Sequence, residues 1–454
     1  METVSVVGLG KLGLCMAACM AAKGNRVIGV DIDQKRIEQV NRLESPTKET
    51  GLESLLKSSH GNLSATDDFQ FAVSESDITF VVVATPSEPD ESYSTAQVEA
   101  AMRSIGASLK TKERFHVVAL TSTVMPGTTD SVVIPTLEIT SQRKCGSTFG
   151  VAYNPEFIAM GSVIHDFQNP DFVLIGATDD KTGDRLARLY GSVCENNPRI
   201  AKMNPTNAEI AKISLNCFVT MKITFANALG QICERIPTAD VDTITDAIGL
   251  DTRIGSRYLR AGLGYGGPCF PRDNRAFSFL ARTVGLEAIL ATTVDEVNSN
   301  QAQRIVELVE RRSTKGAKIA LLGLAYKPNT DIVEGSQSIH MALELARKGR
   351  LVSAYDSLAT ANARAVLGDK IRYAPTIGEC LKGADICIVA LPSDEFRKLE
   401  ASDFVQNMNK GGLVLDCWRL FNGSSFRETD YLALGLGQGA RTGASQGNSP
   451  ELHG

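Results

Sequence analysis

With 454 residues the chain is longer than one hydrophobic core supports, and length alone suggests roughly three domains. Its 43% hydrophobic and 22% charged residues are ordinary for a globular protein. A net charge of −5 without a lysine/arginine run argues against nucleic acid or an anionic membrane as partner, and no apolar stretch is long enough to span a bilayer.

The chain enters a strand at once. "METVSVV" has neither a basic flank nor a cleavage site, so a cytoplasmic protein without a secretory signal is expected. The strand runs into Gly8-Leu9-Gly10-Lys11-Leu12-Gly13, an apolar helix follows to about Lys23, and a second strand, "RVIGV", ends at Asp31. Glycines in such a turn let backbone approach a pyrophosphate at the helix N-terminus. A carboxylate ending the second strand accepts hydrogen bonds from a ribose diol and repels a 2′-phosphate, which favours NAD over NADP. Asp33 either shares this role or is solvated. The glycines alone are a weak signal; with strand, helix and acid in place, a dinucleotide site is the strong reading.

Further apolar runs at residues 77–85, 116–123, 149–154 and 172–177 alternate with helical or polar stretches, the pattern of a doubly wound parallel sheet. From about Thr206 to Arg235 apolar residues recur at helical spacing with no glycine or proline before Gly230. This predicts one long, largely buried helix, with helical sequence continuing to about Leu250. Lys212 and Asn216 lie a turn apart on one face of it. A lone lysine on an apolar face usually snorkels to solvent.

The stretch "GLGYGGPCFPRDN", residues 262–274, then sets Cys269 among glycines and prolines and follows it with Arg272 and Asp273. So irregular a backbone costs stability, and its cysteine is either incidental or the reason for the loop. Beside a poised thiol, the cation of Lys212 and the amide of Asn216 read as an oxyanion site. The ten cysteines are scattered without a C-x-x-C pair and stand beside five histidines, so reduced thiols and no metal are expected.

After Ser313 the alternation resumes in "AKIALLGLAY", "LVSAYD", "DICIVAL" and "GGLVLDCW", and the chain closes on a glycine- and serine-rich stretch. The expected fold class is α/β: two doubly wound Rossmann-like domains joined by a long central helix. The expected boundaries are 1–203, 204–312, 313–430 and a disordered tail at 431–454.

Over about residues 1–430 the chain resembles the UDP-glucose/GDP-mannose dehydrogenase family. The resemblance is carried by "VVGLGKLGL", "ATPS", "TSTVMPGTT", "YNPEFIAMGSVIHDFQNPDFVLIG", "NAEIAKISLNCFVTMKITFAN", "GLGYGGPCFPRD" and "LLGLAYKPNTDIVEGSQSI". It implies NAD-dependent oxidation of a nucleotide sugar at its C6 alcohol to the carboxylate, with UDP-glucose as the expected substrate. GDP-mannose or another nucleotide sugar is the alternative, and a nucleotide-sugar-binding protein that has lost catalysis is the reading from another class. By this resemblance Cys269 is the nucleophile, Lys212 and Asn216 stabilise oxyanions, Asp273 and Thr123 handle water and protons, and Glu156 lies near the thioester. The same resemblance places Gly8, Gly10, Leu12, Gly13, Asp31, Thr85, Thr123 and Arg272 at the cofactor. It places Glu156, Lys212, Asn216, Tyr258, Gly266 and Lys327 at the sugar nucleotide, and sends Arg253 across a homodimer interface to a neighbour's substrate. The chain departs from the family's pattern where Met160 replaces a second glutamate, Glu334 an arginine that often touches NAD, Pro268 a serine, and Phe172 a frequent arginine.

The chemistry holds together without the family. Stopping at an aldehyde needs no cysteine, whereas going on to an acid by a second hydride loss needs a tetrahedral adduct, which a thiolate supplies.

Overall fold

The computed structural model describes residues 1–440. It divides into two compact units, Met1–Ser214 and Leu215 onward. Each is built on one twisted sheet, the fold class expected.

The first unit carries eight strands: β1 Thr3–Val7, β2 Arg26–Val30, β3 Leu63–Thr66, β4 Ile78–Val81, β5 His116–Leu120, β6 Phe149–Tyr153, β7 Phe172–Ala177 and β8 Arg199–Met203. Their order is β3-β2-β1-β4-β5-β6-β7-β8. Continuous apolar runs such as "HVVAL" and "FGVAY" form the centre because helices cover both faces there and every residue of these two strands is buried. The Lys11–Ala22 helix is apolar nearly all round and buried from Gly13 to Ala21, so it packs wholly inside the unit. The sheet is parallel except for one pair. Residues 154–171 stay at the carboxyl end of β6, and β7 returns antiparallel, with Tyr153 opposite Gly176.

The second unit has six strands: β9 Lys318–Leu322, β10 Leu351–Tyr355, β11 Arg372–Tyr373, β12 Ile386–Val389, β13 Leu413–Asp416 and β14 Asp430–Ala433, in the all-parallel order β11-β10-β9-β12-β13-β14. Its helices Val241–Gly249, Phe270–Thr283 and Ile289–Arg312 belong to the same unit as this sheet. Ala302, Ile305, Val306 and Val309 share one core with β9, β12 and β13, whereas Val219, Ile223, Tyr265, Phe270 and Val294 form a separate cluster in the same unit. The long helix runs Pro205–Cys233 and passes through Gly230 unbroken, beginning in the first unit and ending in the second.

The disordered tail expected from residue 431 begins too early. Leu413↔Asp430 through Asp416↔Ala433 pair in parallel, because "DYLA" completes the sheet edge beside β13. The remainder of that expectation, residues 441–454, lies outside the described residues.

Candidate active site

In the first unit the candidate residues follow successive strands at one end of the sheet: Gly8 after β1, Asp31 after β2, Thr85 after β4, Thr123 after β5 and Glu156 after β6. The strand order reverses between β1 and β4, and ligands of such sheets bind beyond the carboxyl ends at that point.

Gly8 has φ +95°, and a Cβ there would strike the Val82 carbonyl; a Cβ at Gly13 would strike the Gly8 carbonyl. These two positions need glycine for the turn and for helix-on-strand packing. Gly10 differs, since a Cβ there meets nothing within 4 Å, and Gly10 caps the helix without any side-chain hydrogen bond. The first-turn N–H groups around Leu12 are therefore left to a ligand, and an anionic pyrophosphate fits that place.

Asp31 accepts from the Leu9 amide at 2.7 Å, the Asp33 amide at 3.0 Å and the Arg36 guanidinium at 3.0 Å. Burial alone would raise its pKa, but these hydrogen bonds outweigh burial and hold the carboxyl below the usual range. Asp33 caps the Gln34–Asn41 helix through the Lys35 and Arg36 amides, which gives it a structural role. The Thr85 hydroxyl donates to the Thr123 carbonyl at 2.7 Å, tying together the segments that follow β4 and β5. These residues fit an NAD.

Lys212 is brought to Glu156. Its ammonium is buried, donates to the Glu156 carbonyl at 2.7 Å and stands 4.5 Å from the centre of the Phe157 ring. The Glu156 carboxylate lies 2.6 Å from the Tyr190 hydroxyl. Burial pushes its pKa up to about 7, with the Tyr190 hydrogen bond and the Lys212 charge opposing only part of that rise.

In the second unit Cys269 is exposed and occupies the N-cap of the Phe270–Thr283 helix, with Pro271 in the first turn. One turn on, buried Asp273 receives the Asn216 amide at 2.6 Å, and its backbone N–H donates to the Cys269 carbonyl at 2.8 Å. Arg272 lies 3.7 Å from the same carboxylate.

The loop before the thiol is irregular, yet its backbone is satisfied by side-chain amides. Gly262 N–H donates to Asn227 at 2.8 Å, and the Gly262 carbonyl accepts from Gln301 at 2.8 Å. Tyr265 N–H donates to Asn298 at 2.8 Å, and the Tyr265 carbonyl accepts from Asn298 at 3.0 Å and Gln337 at 3.3 Å. Gly267 has φ +82° and donates to the Glu334 carbonyl at 2.9 Å, while any side chain on it would enter the Tyr326 ring. Gly266, Phe270, Tyr326 and Trp418 line one cleft beside this loop.

Arg253 is not drawn in, whereas Tyr258 packs beside the thiol loop. Arg253 has a side chain 87% exposed and is held by a bidentate pair to Asp251. Tyr258 has φ +60° and meets Phe270 edge-on at 6.4 Å. Lys327 is buried, 5.7 Å from the Tyr326 ring centre. Sequence reasoning passed over Asn227, Asn298, Gln301 and Tyr190. A signal existed for Asn227: Asn216, Thr220 and Asn227 form a polar stripe at helical spacing on an apolar helix, and Thr220 pairs with Asn274 as Asn216 does with Asp273. Among the described residues, no cluster of His, Cys, Asp and Glu could hold a metal, and no helix is long and apolar enough to cross a membrane.

Comparison with known proteins places three matches along the chain. Residues 2–194 match the NAD binding domain of the UDP-glucose/GDP-mannose dehydrogenase family, 206–300 its central domain and 320–423 its UDP binding domain. The UDP-glucose 6-dehydrogenase AglM of Haloferax volcanii is 37% identical over 87% of this chain and 93% of its own length. A GDP-mannose 6-dehydrogenase of Pseudomonas aeruginosa is 36% identical over 78% of this chain and 80% of its own. Among solved structures, a UDP-glucose dehydrogenase from the hyperthermophilic archaeon Pyrobaculum islandicum superposes with a TM-score of 0.86 at 35% identity, covering 97% of both chains.

Proposed function

Because the chain belongs to the UDP-glucose/GDP-mannose dehydrogenase family and is an NAD-dependent nucleotide-sugar dehydrogenase, we propose that it oxidises UDP-glucose to UDP-glucuronate through a covalent adduct on Cys269. The observation that carries the mechanism is the exposed thiol at a helix N-terminus, on a loop whose backbone is fixed by Asn227, Asn298 and Gln301. The partial positive charge of that terminus favours a thiolate.

Bound NAD supplies the hydride acceptor for both oxidations. The protein supplies the rest. Cys269 adds to the C6 aldehyde, giving a thiohemiacetal; loss of hydride from this adduct leaves a thioester, and water releases the acid and the thiol. Lys212 and Asn216, one helical turn apart, stabilise the oxyanions, and Asp273 orients Asn216 through their 2.6 Å hydrogen bond. Glu156, with a pKa near neutrality, takes the proton from the attacking water. Thr123 assists in proton handling, Arg272 sits at the cofactor, and Tyr258, Gly266 and Lys327 contact the sugar nucleotide.

The decisive experiment measures NADH formation against UDP-glucose, GDP-mannose and N-acetylated nucleotide sugars. UDP-glucose should give the highest kcat/KM, with two NADH per sugar consumed. Preference for GDP-mannose would move the substrate to the second reading, which the similarity to the Pseudomonas aeruginosa enzyme supports. No NADH with any sugar would leave only a binding protein.

The same reading includes a homodimer. Phe218, Phe225 and Ile232 recur seven apart on the long helix and are 59%, 55% and 54% exposed, a continuous apolar stripe. Arg253 is extended into solvent in the same unit. Mixed Arg253→Ala and Cys269→Ala subunits should recover activity through hybrid sites. No recovery despite confirmed subunit exchange means each subunit is self-sufficient.

A further inference from the structure

The Tyr190 hydroxyl faces two acceptors and has one hydrogen. It lies 2.8 Å from Asn154 Oδ1 and 2.6 Å from Glu156 Oε1. The orientation of Asn154 is fixed, because its amide nitrogen donates to the Leu174 carbonyl at 2.8 Å; the atom facing Tyr190 is therefore the carbonyl oxygen, which only accepts. Asn154 is fully buried and Tyr190 is 2% exposed, so water does not substitute for a missing bond.

Two arrangements satisfy this geometry. In one, Tyr190 donates to Asn154 and a neutral Glu156 carboxyl donates to Tyr190. In the other, Glu156 is a carboxylate, Tyr190 turns its hydrogen to it, and Asn154 Oδ1 is left facing a lone pair. The first pairs the Tyr190 hydroxyl, Asn154 Oδ1 and Glu156 Oε1 together; the second leaves one buried acceptor, Asn154 Oδ1, unpaired. We propose that Asn154, by claiming the single hydrogen of Tyr190, keeps a proton on Glu156 in the resting protein, and that Tyr190 is the positioning residue whose hydrogen rotates from Asn154 to Glu156 at each release of that proton.

The role of Tyr190 rests on the reading of Glu156 as the acid/base group. Tyr190 itself stays neutral, since burial and the neighbouring carboxyl raise its pKa well above the usual phenol range. The other groups facing Glu156 are Lys212 from the long helix, Cys194 after the Asp180–Val193 helix and Cys19 from the Lys11–Ala22 helix; burial holds both thiols neutral, with pKa values pushed up to about 12. Lys212 thus contributes the fixed charge, and the tyrosine hydrogen is the movable part.

The test titrates the infrared band of the neutral carboxyl that Glu156→Gln removes, with no substrate present. Tyr190→Phe removes the donor to the carboxylate and should move the midpoint up by about one pH unit. Asn154→Leu leaves the hydrogen to Glu156 alone and should move it down by a similar amount. If Asn154→Leu does not fold, Tyr190→Phe decides by itself. An unmoved midpoint in Tyr190→Phe, or two shifts of the same sign, overturns the proposal. The pH limb of sugar-acid formation should follow the carboxyl midpoint. A shifted midpoint with an unshifted limb upholds the tyrosine switch and removes Glu156 from the catalytic reading.

Discussion

The two α/β units start alike. In each, a glycine with positive φ ends the first strand and donates to the end of the neighbouring strand: Gly8, φ +95°, to Val30 at 2.8 Å, and Gly323, φ +98°, to Tyr355 at 2.9 Å. In each, an aspartate just beyond that strand accepts backbone N–H from the turn, Asp31 from Leu9 at 2.7 Å and Asp356 from Leu324 at 2.8 Å and Ala325 at 3.1 Å. They part at the next step. After Gly8 the helix opens at Lys11 under Gly10, whereas after Gly323 the next helix opens only at Gln337. Residues 324–336 fill the intervening space and are pinned back by the Ser336 hydroxyl on the Leu324 carbonyl. Asp356 is correspondingly used up, its second oxygen accepting from Leu358 and Ala359. A glycine turn and an acid therefore define a frame that both units share, and only the first sets a helix N-terminus directly after the turn.

If the first unit seats the cofactor and the second carries the thiol, the two functions should separate by mutation. Cys269→Ala should lower acid formation by about 10⁴-fold or more while NAD binding measured by fluorescence stays at the parent level. Substantial acid formation by this variant would make Cys269 a structural thiol. Asp31→Ala should weaken NAD binding by roughly tenfold, the loss of one charged hydrogen bond to the ribose. It also frees Arg36, now 3.0 Å from Asp31, for a 2′-phosphate, so the ratio of NADP to NAD use should rise. Unchanged affinity for both would place the dinucleotide elsewhere.

The sequence was readable in proportion to burial. Each strand with neighbours on both sides, such as β5 and β12, shows as an apolar run. The four missed strands, β3, β8, β11 and β14, are the four sheet edges, where "LSAT", "RIAKM", "RY" and "DYLA" need hide only part of their surface. At the site, Cys269, Lys212 and Asn216 were visible because each breaks a local rule: a thiol in a glycine loop, or polar groups on an apolar helix. Tyr190 breaks none. In "RLARLYGSV" it sits on the buried face of an amphipathic helix, and its use of the hydroxyl depends on Asn154 and Glu156, which only the fold brings there.

The remaining predictions sharpen the contrast through stability. Asp356→Ala strips the acceptor from four backbone N–H groups and should destabilise the protein by about 2–4 kcal/mol, seen as a lower urea midpoint. NAD affinity should be unmoved, the reverse of Asp31→Ala. Altered NAD binding in Asp356→Ala would mean that the second frame does serve the cofactor.

The smallest effect follows from Glu156, whose pKa rises from the ordinary 4.5 to about 7 on folding. The folded state then holds this proton more tightly than the unfolded state does. Its contribution to stability is complete below the unfolded pKa and is lost as pH rises through about 7. Over that window the parent should lose at most about 3 kcal/mol relative to Glu156→Gln, which carries no titratable proton, and less in so far as solvent screens this half-buried side chain. The comparison is a difference between two proteins at each pH, so titrations shared by both cancel. Chemical denaturation at pH values on either side of that window measures it. A parent and a glutamine variant whose stabilities run parallel with pH would mean that Glu156 is charged throughout, and the neutral resting carboxyl would be withdrawn.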